Sequence, residues 1–147
     1  MATSRVFFSI ERQNLMEPQL APLLAHAVTA GLTAAFADEG DEELDLIVQL
    51  AAADDNLRTV SNERSRLVVA ADAEVEPAGS DEDPSLVTVR EPIAWAKVAA
   101  IFADAPEAAD DVLRARTGDE AAWDACAGWE MLWYHPSERT KLAEDLA

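Results

Sequence analysis

The chain has 147 residues, half of them hydrophobic, and sets 11 Lys and Arg against 29 Asp and Glu for a formal net charge of −18. That length suits a single domain over residues 1–147 and buries enough surface to need neither disulfide nor metal. The charge disfavours direct contact with nucleic acid or anionic lipid, and the lone Cys126 rules out an intramolecular disulfide.

Arg5-Val6-Phe7-Phe8-Ser9-Ile10 is a short β-rich run, expected as a first strand buried on both faces at Phe7 and Phe8. Pro18 and Pro22 argue against a long helix over residues 13–27. Thr29 is placed to cap a short helix in which Leu32 and Phe36, four apart, share a face. Gly40 breaks the chain, and Asp41, Glu42 and Glu43 suit the positive end of a second helix running to about Leu57. Its stripe is Leu44, Ile47, Val48 and Ala51.

Arg66 to Ala71 reads as a central strand. Residues 72–83, with six acids, Pro77, Gly79 and no basic residue, read as a solvated loop. Ser85 to Arg90 alternates and should pair antiparallel with the strand before it. Ile93 to Val98, containing Trp95, reads as a short helical segment, and Ala99 to Phe102 as a fourth strand. Pro106 suits the first turn of a helix over Ala105 to Arg114, whose Glu107, Asp110 and Asp111 should face water. Asp119 can cap a further helix carrying Trp123. Trp129 to Tyr134 reads as the last strand, stopped by Pro136, with Ser137 capping a final helix on which Leu142 and Leu146 share a face. The expected fold is α+β, one domain with a mixed, mostly antiparallel sheet of about five strands and packed helices. Its few bulky apolar side chains should converge into one interior.

Familiar cofactor motifs are missing. The five glycines form no phosphate-binding loop and no nucleophile elbow, and one Cys with two His cannot build a standard zinc site. No acidic stretch has the spacing of a calcium loop. No cofactor or metal is therefore expected. The apolar run in MATSRVFFSIERQ is too short for a signal peptide, and no window approaches the about 18 apolar residues of a membrane span. No membrane contact and a cytoplasmic location are expected.

The candidate site residues follow from chemistry. His26 and His135 are the two side chains able to move protons near neutral pH. Between Gly128 and His135, alternation puts Glu130, Leu132 and Tyr134 on one face and Trp129, Met131, Trp133 and His135 on the other. A carboxylate beside a tyrosine is either a satisfied buried pair or a site. An exposed Trp face would instead be a binding patch. Cys126, beside Asp124, lacks the positive neighbours of a reactive thiolate.

Five segments in order carry a resemblance: Ala25-His26-Ala27-Val28-Thr29, Gly40-Asp41-Glu42-Glu43-Leu44, Arg66 to Asp72, Val98-Ala99-Ala100 and Leu132-Trp133-Tyr134. Together they resemble a family of small, uncharacterised actinobacterial proteins classed only as a domain of unknown function. The resemblance spans nearly the whole chain and departs from the family at Met1 to Ser4 and over residues 17–22. It implies one cytoplasmic domain, assigns no activity, and directs interest to His26, Thr29, Glu130, Trp133 and Tyr134.

Three functions fit these observations. One is a non-enzymatic interaction or accessory module that meets a basic protein surface, where charge speeds association. Another is a small enzyme with a pocket near His26, Glu130 and Tyr134. The third is a nucleic-acid mimic that binds a basic protein. The charge also has a plain reading as solubility.

Overall fold

A computed structural model describes residues 3–147. The first β-rich run forms β1 (Thr3–Ser9). Period-two alternation sends Phe8 to one face of the sheet and Phe7 to the other, each into a different apolar cluster, as expected. The proline-containing stretch holds no long helix. It forms one 3-10 turn (Arg12–Met16), then β2 (Gln19–Leu20) and an unanticipated strand, β3 (Leu24–Ala27).

Thr29 caps α1 (Ala30–Ala35), its hydroxyl accepting from Leu32 N–H at 3.0 Å. Leu32 is buried, but Phe36 falls at the C-cap with non-helical angles and stays exposed, so the two do not share a helical face. The strongest helical pattern becomes α2 (Asp41–Thr59), with the three acids in its first turn and a buried row of Leu44, Val48, Ala52, Ala53, Asn56 and Leu57.

The central strand is longer than its apolar run. β4 (Leu67–Pro77) continues through residues expected as loop, because Asp72, Glu74 and Glu76 alternate with Ala73 and Val75, which pack against the core. The connecting loop is confined to residues 78–85. β5 (Leu86–Val89) pairs antiparallel with β4, but at Val75–Pro77 rather than along Leu67–Ala71. The segment around Trp95 is only partly helical: β6 (Ile93–Ala94), then a 3-10 turn. β7 (Val98–Ala103) follows. Pro106 opens a 3-10 turn leading into α3 (Ala109–Arg116), and Asp119 caps α4 (Glu120–Gly128), accepting from Ala122 N–H at 3.0 Å. The last strand, β8, covers only Leu132–Tyr134, because α4 runs on to Gly128 and Trp129 caps it. His135, not Ser137, caps the turn that leads to α5 (Arg139–Asp145).

The α+β class holds, with six strands in the main sheet and every pairing antiparallel. β1, β3, β5 and β4 close a ring of pairings; β7 adds to β4, and β8 adds to β7. β2 and β6 form a separate two-stranded sheet. The single interior expected from the sequence is instead divided. One cluster lies under α5, around Phe8, Val69, Ile101 and Leu142. A second lies under α2, around Phe7, Val68, Ala70 and Val48. A third joins the end of α2 to α3 and α4 through Leu57, Val112, Ala122 and Cys126.

Candidate functional site

The candidate residues fall into two groups on different parts of the fold. His26, on β3, is 3% exposed. Its Nε2 lies 2.7 Å from an Asp55 carboxylate oxygen on α2, and its Nδ1 lies 2.7 Å from Ser85 Oγ at the end of the β4–β5 loop. Asp83 of the same loop sits 3.8 Å from Nδ1 and 3.5 Å from Ser85 Oγ. Neutral His26 donates through Nε2–H to Asp55 and accepts from the Ser85 hydroxyl at Nδ1. Protonated His26 donates to Ser85 instead, and the Ser85 O–H turns to Asp83. Thr29 joins this group by donating its hydroxyl to the Pro84 carbonyl. The combined effect is to tie the loop to α2 and to the start of α1.

This serine, histidine and aspartate line up like a hydrolytic triad, but Ser85 is only 4% exposed and leaves its oxygen no open face for a substrate. The cavity beside the loop, about 570 Å³, is lined by Thr29, Gly31, Pro77, Ser80 and Pro84, not by Ser85 or His26.

The second group surrounds β8. Trp133 is in register with Phe102 of β7, and both side chains lie on the sheet face that carries α2. α2 packs mainly over β1, β3 and β4; on the same face Ala100 of β7 is buried beneath it and Phe102 partly so, while Trp133 of β8 stays exposed. The space left is a groove of about 700 Å³ with Phe7, Phe102, Trp133 and Leu46 as its apolar surface and Glu42, Glu43 and Asp45 on its rim. It continues past Trp133 into a second hollow of about 520 Å³, bounded by Met131, Trp129 and Glu130. Phe7 and Phe102 lie 6.4 Å apart between ring centroids. Trp133 remains 58% exposed and touches the His135 ring edge-on at 6.3 Å. The cation on the lining, Arg5, is paired with Asp72 at 2.9 Å.

Tyr134 packs on the opposite face, with the cluster under α5. His135 is exposed and occupied in capping, its Nδ1 accepting from Ser137 N–H at 3.1 Å. His26, Glu130 and Tyr134 therefore do not converge: His26 is sealed against α2, Glu130 borders the groove and Tyr134 lies across the sheet from it.

Sequence reasoning missed the polar scaffold that positions the groove. Asp104, after β7, accepts from Arg66 at the backbone N–H (2.8 Å), Nε (3.0 Å) and Nη2 (2.7 Å), with both side chains essentially sealed. Arg66 Nη2 also reaches the Trp129 carbonyl at 3.4 Å, linking β4 and β7 to the chain entering β8. The Asp104 interaction holds the Arg66 guanidinium above its ordinary basicity, although burial alone lowers it. Arg116 donates to five acceptors: the carbonyls of Asn56, Val60, Glu63 and Ser65, and the Asn56 side chain. It thereby closes the C-terminal end of α2, where a cation also suits the helix dipole. Burial lowers its basicity. Asn56 in turn donates to the Ile10 and Leu67 carbonyls. Asp111, expected in water, is partly buried and accepts from the Trp129 indole at 2.8 Å.

Burial pushes up the Asp54 and Glu63 carboxyls and also the Cys126 thiol, the latter against the pull of Arg66 and Arg116, positive neighbours that the local sequence lacks. Among the described residues, no three His, Cys, Asp or Glu side chains gather as a metal site, and no helix is long and apolar enough to cross a membrane.

Fold and site define an acidic α+β protein with an open apolar groove along one end of an antiparallel sheet. The chain belongs to DUF6912, a family of unknown function, whose model matches residues 5–143. No curated protein and no solved structure matches it.

Proposed function

We propose that this protein is a non-enzymatic interaction module that binds a basic segment of a partner protein in the groove between α2 and β8. One observation carries the reading: Trp133 stands 58% exposed between two hollows whose apolar lining includes Phe7, Phe102, Leu46 and Met131. An exposed aromatic continuous with an apolar groove marks an interaction surface, and tryptophan is enriched among residues that dominate binding energy. The rim favours a cation. Glu42, Glu43, Asp45 and Glu130 border the groove, and the chain carries −18 overall. A lysine or arginine stem suits the apolar floor while its charged head meets the rim.

Titrating the chain with a short arginine-rich peptide, with heat read by calorimetry at low and at high salt, tests this. Micromolar binding that weakens with salt and is lost in Trp133→Ala is expected. Equal binding by the wild type and Trp133→Ala would contradict it.

A further inference from the structure

The sheet has a second property at the same place. β1, β3, β4, β5 and β7 each pair with at least two neighbours, whereas among the described residues β8 pairs with β7 alone. Its outer side is thus a strand edge, with backbone N–H and C=O groups directed away from the sheet. Its three-residue length limits what can pair there, but side-chain protection is missing from it. Leu132, Trp133 and Tyr134 are all residues that suit strands or apolar contact, with no lysine, proline or bulge among them, and the first two are exposed. Charge disfavours pairing of this edge with a second copy, because it would bring two chains of −18 together. The same charge attracts a cationic strand.

We propose that the partner segment binds in extended form, adding a strand to the outer edge of β8 and placing an arginine or lysine in the groove beside Trp133. This rests on the groove reading above and specifies its geometry. A strand in that position sends alternate side chains to the face that holds Trp133 and Phe102. A cation at every second residue therefore meets Trp133 and then the carboxylates of Glu130 or Asp45, while the backbone supplies sequence-independent affinity.

The test uses a capped heptapeptide of alternating valine and arginine, and a second peptide of the same sequence built from N-methyl amino acids, which keeps the charge but has no backbone donors. Binding to the full chain is followed by the Trp133 indole resonance and by hydrogen exchange at the amides of residues 132–134. The proposal expects the first peptide to slow exchange in β8 at least tenfold and to bind at least tenfold more tightly than the second. Equal binding of both peptides, with Trp133 perturbed and β8 exchange unchanged, would overturn strand addition and leave the groove reading standing. If neither peptide perturbs Trp133, both readings fall. A dimer in sedimentation with β8 protected in the absence of peptide would assign the edge to a second copy and overturn the proposal.

Discussion

Trp133 and Phe102 face each other in register across β8 and β7, yet Phe102 packs partly against the cluster under α2 and Trp133 stands in water. The difference follows the packing of α2, which lies mainly over β1, β3 and β4 and only borders the groove beside Trp133 with Leu46 and Gln49. A side chain this exposed contributes little to folding. Trp133→Ala should therefore change stability to urea by less than about 1 kcal/mol. It should weaken binding of an arginine-rich peptide by at least tenfold, about 1.4 kcal/mol. Paired denaturation and calorimetric curves check both halves.

Asp104→Ala removes the three contacts that Arg66 makes to this carboxylate, leaving only the Trp129 carbonyl, and seals the guanidinium without its paired counter-charge. The expected loss is about 3–5 kcal/mol in chemical denaturation. Replacing both residues by apolar ones of similar volume should recover much of it, since an unpaired buried charge costs more than an absent pair. A loss below about 1 kcal/mol for the single variant would show that the pair is solvated.

His26→Ala removes the link between Asp55 on α2 and Ser85 in the β4–β5 loop. Asp55 is partly exposed and regains water, while Ser85 stays buried beside Asp83. The cost should be about 1–3 kcal/mol, concentrated in faster hydrogen exchange over residues 80–85. Unchanged exchange there would mean that Thr29 and Pro84 hold the loop without the histidine.

Burial raises the Asp54 carboxyl from its ordinary 3.8, against the pull of Arg58 and Arg66. The folded state then holds this proton more tightly than the unfolded chain does. Stability from this group is full below 3.8 and falls as pH rises through the folded-state value. Asp54→Asn should accordingly melt higher than wild type at pH 7, with the difference closing as pH falls toward 3.8. Melting curves at the two pH values decide it; a variant less stable at pH 7 would show that the carboxylate is net stabilising.

The sequence made some of this legible and hid the rest for physical reasons. α2 was readable because Gly40, the acids after it and the spacing of Leu44 and Val48 agree on one helix. Thr29 and Asp119 were readable because capping is local chemistry. β3 was not, since Leu24-Ala25-His26-Ala27 has little intrinsic strand preference and becomes a strand by pairing with β1 and β5. The outer half of β4 was hidden by its acids, which resemble loop composition although they alternate. Arg116 looks like any helical arginine until folding brings the end of α2 to it. The aromatic density around Trp133 marked a candidate, but its exposure depends on where α2 lies across the sheet. The partition of the bulky apolar side chains between two faces depends on the same placement.

The four tryptophan indole resonances give the most direct test of the groove. Trp95 donates to the Glu17 carbonyl and Trp123 lies under the Arg58 guanidinium, so these two report on other parts of the fold, while Trp129, which donates to Asp111, borders the second hollow. Adding an arginine-rich peptide to the full chain should shift the Trp133 indole signal in a saturable, salt-sensitive way, with smaller shifts at Trp129 and none at Trp95 or Trp123. Saturable binding that leaves the Trp133 signal in place, or moves all four alike, would contradict the account.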